Sequence, residues 1–296
     1  MTTPSPARTT RVLLCRGARW SAAFFLALTV GACARLAAAD PNALWKIVDL
    51  RCVPSQQATG TPGQCTLVNL DQHYVILKDI VGRSQHLLIP TDRITGIESP
   101  LLLAPHARDY WVDAWDSRAY VEKSVKRTLP DTLLGIEINS EYRRSQNQLH
   151  IHIDCMRRDI SEALARHAND APGRWQWDTL DGNRYRIMHV MSLAQRDDPF
   201  RLVARGIPGL GAGSDPDHDA GKDADSDAAA QVSGNPSGNA EGNNAAMATQ
   251  TILVTGAGPS AAKDGWLVVN SDLEADNGSG SAEGLLDHKC RVADGD

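Results

Sequence analysis

The chain has 296 residues, 42% of them hydrophobic, enough to bury a full core in one large domain or two small ones. Its formal charge is −6, and residues 209–250 carry all of it, with seven acids (Asp215, Asp217, Asp219, Asp223, Asp225, Asp227 and Glu241) against one base, Lys222. The remainder is close to neutral, so no basic patch argues for a nucleic-acid partner.

The N-terminus speaks to location. Arg8, Arg11, Arg16 and Arg19 precede an apolar run over residues 20–34, and no acid occurs before Asp40. A basic region, an apolar run of this length and then Ala37-Ala38-Ala39 read as a secretory signal peptide over residues 1–39. Val30-Gly31-Ala32-Cys33 also resembles a lipoprotein box, with Cys33 as the acylated residue. A retained membrane anchor is the third option, although a spanning helix needs about 20 apolar residues. All three put residues 40–296 outside the cytoplasm as one domain. Four cysteines follow the export segment, and an even count in an exported chain points to disulfides rather than free buried thiols. Cys52 and Cys65 flank a short loop and are expected to pair. Cys155 and Cys290 would then tie the C-terminus to the end of the histidine strand described below.

Residues 43–50 are helical in pattern, and Pro54, Gly60, Pro62 and Gly63 mark residues 53–64 as loop. Residues 74–78 and 86–89 are β-rich and form a hairpin about a turn at Val81-Gly82, in which His86 reads as a satisfied strand residue. Residues 90–100 make an irregular crossing to the apolar residues 101–104. Residues 108–128 read as one amphipathic helix, with Trp111, Trp115 and Ala119 on its buried stripe. Residues 133–138 are a strand, and residues 159–167 a short helix whose first turn suits Asp159. Residues 175–180, 185–191, 200–204, 251–255 and 265–270 are β-rich. Residues 199–203 (PFRLV) loosely echo residues 85–89 (QHLLI), which admits a degenerate second half-repeat. Residues 209–250 are acidic and poor in large apolar side chains. They cannot offset ordering entropy and are expected to form a disordered insertion. Metal binding by Asp215, Asp217 and Asp219 would lack the glycine and distal glutamate of a Ca²⁺ loop.

Residues 139–154, NSEYRRSQNQLHIHID, organise the rest. Polar and apolar residues alternate from Gln148 to Asp154, so a strand turns Leu149, Ile151 and Ile153 to a core and Gln148, His150, His152 and Asp154 to the other face. Residues 141–147 are the loop of a hairpin with the strand at 133–138. Two imidazoles on one strand face can hold a nucleophile beside a phosphate contact, because histidine is substantially neutral near pH 7 and its phosphoramidate still reacts with water. The same spacing fits a zinc pair lacking its other ligands, or a solvated face with no role.

Asn139, Gln146, His150 and His152 together resemble the signature of the histidine triad (HIT) superfamily, with Ser145-Gln146 and His150-Ile151-His152-Ile153 at its pair and core positions. Asp154 stands where the third histidine would be. Residues 43–48 (ALWKIV), 52–54 (CVP), 74–79 (YVILKD), 93–100 (RITGIESP), 145–153 (SQNQLHIHI) and 287–291 (DHKCR) resemble, in order, the bacterial CDP-diacylglycerol pyrophosphatase family. The resemblance implies an α+β fold, a HIT-like antiparallel sheet with flanking helices. It implies hydrolysis of CDP-diacylglycerol to CMP and phosphatidate, with the second core histidine, His152, attacking the nucleoside phosphate. His150 would contact phosphate or orient His152, Gln146 would donate to a non-bridging oxygen, and Asn139 would hold the loop or a phosphate. Ser145 and Asp154 complete the implied substrate contacts. Neither step calls for a metal or cofactor. The implied partner is the lipid substrate at a membrane surface, on the extracytoplasmic side of a bacterial inner membrane. Two rival readings are a metal-dependent phosphoesterase using His150, His152 and Asp154, and a non-catalytic exported nucleotide- or lipid-binding protein.

Overall fold

Among the described residues, alternating apolar side chains build nine strands that pair into one open sheet. The computed structural model describes residues 40–207, 210 and 245–295. Strands β1 (Leu67–Asn69), β2 (Tyr74–Lys78), β3 (His86–Pro90), β4 (Leu134–Ile138), β5 (Ile151–Cys155), β6 (Trp175–Leu180), β7 (Asn183–Val190), β8 (Gln250–Gly256) and β9 (Trp266–Asp272) run in the order β1-β2-β3-β5-β4-β8-β9-β7-β6. Every neighbouring pair is antiparallel. The architecture is thus mixed helix and antiparallel sheet.

One sheet face carries the main apolar core, with His86, Asn270 and Arg186 among its polar members. Ile151 and Ile153 of β5 join Ile76, Leu88, Ile136, Ile252 and Val254 in its core. Helices α3 (Tyr110–Asp116) and α4 (Ala119–Val125) cover that face through Trp111, Trp115 and Val121. The other face carries two apolar clusters, one toward each end. Val75, Leu87 and Ile89 pack against Val48 and Cys52, which follow α1 (Ala43–Ile47). Leu253, Val269 and Ile187 pack with Ile160 and Leu164 of α5 (Arg158–Leu164). Between these clusters β5 and β4 present polar side chains: His152 lies directly opposite Glu137, with Leu87 of β3 on its other side. The site is built in that gap.

Several expected boundaries shift. Residues 53–59 are helical rather than loop, because α1 runs through a π turn (Val48–Cys52) into α2 (Val53–Thr59). The Val53 N–H reaches the Val48 carbonyl across that turn, and Pro54, which has no N–H to satisfy, sits at the start of α2. Gly60, left-handed at φ 70°, ends it. Residues 108–128 form two helices, not one. They part at Ser117, whose hydroxyl donates to the Asp113 carbonyl at 2.8 Å and competes with the helix backbone. Ala119 is consequently exposed.

Residues 200–204 are not a strand but part of α6 (Pro199–Arg205). Asp198 caps α6 by accepting from the Arg201 N–H at 3.2 Å, and Phe200 meets Trp111 with ring centroids 5.1 Å apart. A short apolar run without alternation fits either period, and here the Asp-Pro start decides for helix. With that strand goes the echo that admitted a second half-repeat. The acidic segment and the export segment, with Cys33, fall largely on residues outside those described. Residues 245–250, assigned to the insertion by composition, are instead packed: a helical turn buries Met247 and Ala248, and Gln250 opens β8. Among the described residues no helix is long and apolar enough to cross a membrane. Both expected disulfides, Cys52–Cys65 and Cys155–Cys290, are formed.

Candidate active site

The approach to β5 is fixed by a polar side chain three residues before it. Gln148 is fully buried and donates to the carbonyls of Pro90 and Asp92 at 3.1 and 2.9 Å, while Arg93 donates to its oxygen at 3.2 Å. The Leu149 N–H donates to the Ile94 carbonyl at 2.6 Å. Gln148 is thus spent on the 90–100 crossing, and the two residues of its face that follow, His150 and His152, line a cavity of about 400 Å³.

Asn139, Ser145 and Gln146 line the same cavity, so the structure brings five of the sequence-predicted site residues together. The Gln146 side-chain oxygen Oε1 accepts from the Leu44 N–H at 3.0 Å, satisfying an orphan amide in the first turn of α1. This bond draws α1 over the cavity, whose apolar wall includes Leu44, Ile47, Leu77 and Leu87. The Asn139 side-chain amide donates to Glu283 at 3.3 Å, and its Oδ1 is buried without a partner.

The imidazoles of His150 and His152 stand edge to face, 5.0 Å between centroids, and are 8% and 6% exposed. Burial pushes both down to about 4; each is lowered further by a neighbouring imidazole, His152 acting on His150 and His288 on His152. Both rings are therefore neutral at pH 7. Their protons sit differently. Nδ1 of His150 is 2.7 Å from the Gln148 carbonyl, which only accepts, so the proton is on Nδ1 and Nε2 keeps its lone pair. Nδ1 of His152 is 2.7 Å from the Gln85 amide nitrogen, which also donates to Asp79 at 3.0 Å. An amide nitrogen only donates, so Nδ1 of His152 accepts and the proton is on Nε2. That Nε2 is buried without a partner, as is the Gln85 oxygen.

Asp154 belongs to a different arrangement. Fully buried, it does not line the cavity; it accepts from the Ser84 hydroxyl at 2.6 Å and from Nδ1 of His288 at 3.0 Å. Both carboxylate oxygens are taken by protein, so the trio of His150, His152 and Asp154 is not assembled as a ligand set. Among the described residues no group of three His, Cys, Asp or Glu side chains is placed to hold a metal ion. Glu137, opposite His152, is held by Thr251 and the Ala282 N–H, both at 3.1 Å, and burial pushes its carboxyl up to about 8.

Sequence reasoning missed Lys78, Asp79, Gln85, Arg143, Glu283 and His288. Lys78, Asp79, Arg143 and Glu283 line the cavity, and Gln85 and His288 touch those that do. One signal for His288 was available, since pairing Cys155 with Cys290 puts residue 288 beside residue 154.

The family model described as CDP-diacylglycerol pyrophosphatase matches residues 39–215. The CDP-diacylglycerol pyrophosphatase of Yersinia pestis is 37% identical over 185 residues, covering 62% of this chain and 72% of the relative. The matched stretch holds both cavity histidines, Asn139, Ser145 and Gln146, and the chain belongs to the CDP-diacylglycerol pyrophosphatase family.

Proposed function

We propose that this protein hydrolyses the pyrophosphate of CDP-diacylglycerol to CMP and phosphatidate in this cavity, through a nucleotidyl-histidine intermediate on a HIT-like sheet. The observation that carries the reading is the pair of buried, neutral imidazoles lining the cavity of a chain from this family. An imidazole nitrogen bonds to the cytidylyl phosphorus, the bridging P–O bond breaks, and phosphatidate leaves with the electron pair. Water then adds to the same phosphorus, the N–P bond breaks, and CMP leaves carrying the water oxygen while a proton is released. Fixed donors oppose the charge that develops on phosphorus, a task for which Gln146, Lys78 and Arg143 are at hand. The apolar wall suits the lipid end of the substrate. The apolar run at residues 20–34 supports an extracytoplasmic position beside a membrane.

Motif register assigns the attack to His152. Hydrogen bonding favours a second reading, in which His150 attacks. Only His150 has both a bare Nε2 and a carbonyl ready to hold the Nδ1 proton as the ring becomes cationic. His152, with its proton on Nε2, is then a donor to a phosphoryl oxygen. For His152 to attack, Gln85 must turn its unpartnered oxygen to Nδ1 and give up Asp79. We adopt His150 as nucleophile and His152 as donor.

The test is incubation of the purified protein with CDP-diacylglycerol in heavy-oxygen water. CMP and phosphatidate should appear in equal amounts with the label in CMP. No CMP would refute the activity, and label in phosphatidate would refute attack on the nucleoside phosphate.

A further inference from the structure

We propose that His288 is the third histidine of the site, a cationic positioning residue delivered by the C-terminal segment, which neutralises Glu283 so that the cavity accepts a pyrophosphate; this rests on the function proposed above.

The strand position after His150 and His152 is filled by an acid, and a histidine from the other end of the chain is bound to that acid. Nδ1 of His288 donates to Asp154 at 3.0 Å, and Nε2 is 3.5 Å from Glu283. Ionised carboxylates only accept, so the form of His288 that satisfies both contacts is the imidazolium. The same Glu283 oxygen is 4.0 Å from Nδ1 of His152, and its other oxygen takes the Asn139 amide at 3.3 Å. Glu283 is therefore an anion on the wall of a cavity that must receive an anionic substrate, and His288 is the cation in contact with it.

The segment is held in place from two sides. The Cys155–Cys290 disulfide, the Asp287 N–H on the Cys155 carbonyl at 2.7 Å and the Met156–Leu286 bridge fasten it to the end of β5. On the other side the Arg83 N–H donates to the His288 carbonyl at 2.7 Å. Gly82 permits that approach, since a Cβ there would stand 2.8 Å from the same carbonyl oxygen.

The charged groups around the imidazole are few. Asp154 faces it from β5, Glu283 from its own segment and Asp79 from the β2–β3 turn, each favouring the cation, with the hydrogen bond to Asp154 largest. Partial burial of the ring opposes it; the neighbouring His152 is neutral. Arg83 is paired with Asp294, and Asp287 with Arg291. The net effect holds His288 above the ordinary imidazole range. Its charge is present below that raised value and lost as pH climbs through it, so anion affinity should weaken on the alkaline side.

The test uses calorimetric binding of inorganic pyrophosphate from pH 6 to 9, with every variant referred to wild type so that titration of the ligand cancels. His288→Gln should bind about tenfold more weakly at pH 6, with little further loss at higher pH. His288→Lys should retain wild-type affinity at pH 6 and exceed it at pH 9. Glu283→Gln should restore binding in the His288→Gln background, a rescue that a purely structural role for His288 would not produce. Failure of that rescue in a folded double variant would overturn the proposal. So would wild-type binding by His288→Gln across the range. Should His288→Gln not fold, the comparison of wild type with Glu283→Gln decides, because an alkaline loss equally steep in both would refute it. A protein that shows this binding behaviour but releases no CMP would sink the proposed activity and leave the role of His288 standing.

Discussion

Replacing each cavity histidine with glutamine should separate nucleophile from donor. Of the two cavity imidazoles, His150→Gln removes the one whose Nε2 is bare and whose Nδ1 is backed by a carbonyl, Gln148 at 2.7 Å. Losing a covalent nucleophile costs far more than losing one contact, on the order of 10⁴-fold or more in kcat. His152→Gln removes a single donor to the phosphoryl group, worth about 10²–10³-fold, roughly 2.7–4 kcal/mol of transition-state stabilisation. The two variants should thus differ by at least tenfold in CMP release from mixed micelles of CDP-diacylglycerol. Stability has to be checked, because His152→Gln deprives the Gln85 amide of its acceptor, a buried loss of about 1–3 kcal/mol. Gln85→Leu gives an independent sign. It frees His152 from its Nε2–H tautomer, so turnover should fall if His152 is the donor and rise if His152 attacks. Slow turnover followed by an acid-free quench should leave the cytidylyl group on His150 in fragment mass spectra. An adduct on His152, or a more damaging His152→Gln than His150→Gln, would refute the assignment.

Three further outcomes follow from the charges and cross-links. Both cavity imidazoles are held down to about 4 in the fold, so the unfolded chain binds more protons below its ordinary pKa of about 6.5. Stability should therefore fall as pH drops from about 6.5 toward 4, by up to about 1.4 kcal/mol per unit for each ring, as read by denaturant titration; a flat profile across that window would contradict their burial as neutral rings. Glu137 has the opposite sign: raised to about 8, its contribution is present below the unfolded carboxyl value and lost as pH rises through the folded one. Glu137→Gln should accordingly raise the melting temperature at pH 8 and leave it nearly unchanged at pH 4.5, and an equal shift at both would show that ionisation is not the cause. Replacing Cys155 and Cys290 by serine opens a cross-link spanning 135 residues and should cost about 2–5 kcal/mol in chemical denaturation. A larger KM for CDP-diacylglycerol should accompany it, and no change in KM would separate the disulfide from the site.

Local pattern carried the strands. Leu149, Ile151 and Ile153 alternate strictly with polar neighbours, and a period of two leaves one arrangement that buries them, which is why β5 and its pairing with β4 were legible. Where the pattern was short or broken by one residue, the reading failed for identifiable reasons. Pro54 was read as a helix breaker, but at the start of a helical segment its missing N–H costs nothing. Residues 200–204 have no alternation to show a period. Ser117 divides a helix through its own hydroxyl, an interaction that the spacing of Trp111 and Trp115 does not encode.

The site was legible only as far as one strand and its preceding loop reach, and what lay beyond that reach is the part that sets charge. His150, His152, Asn139 and Gln146 are close in sequence and arrive together because a hairpin requires it. Gln85, Glu283 and His288 come from three places, and nothing local to any of them reports that they meet. Their meeting follows from the sheet order, which puts β3 beside β5, and from the disulfide, which returns residue 290 to residue 155. Neighbours of this kind decide which nitrogen of His152 carries its proton and how much negative charge the cavity wall presents. Asp154 illustrates the difference. Read along the strand it is a third site residue facing the substrate, whereas in the fold it is buried and faces His288. The motif therefore identifies where phosphorus would be attacked. The protonation and charge that make attack there feasible are properties of the fold.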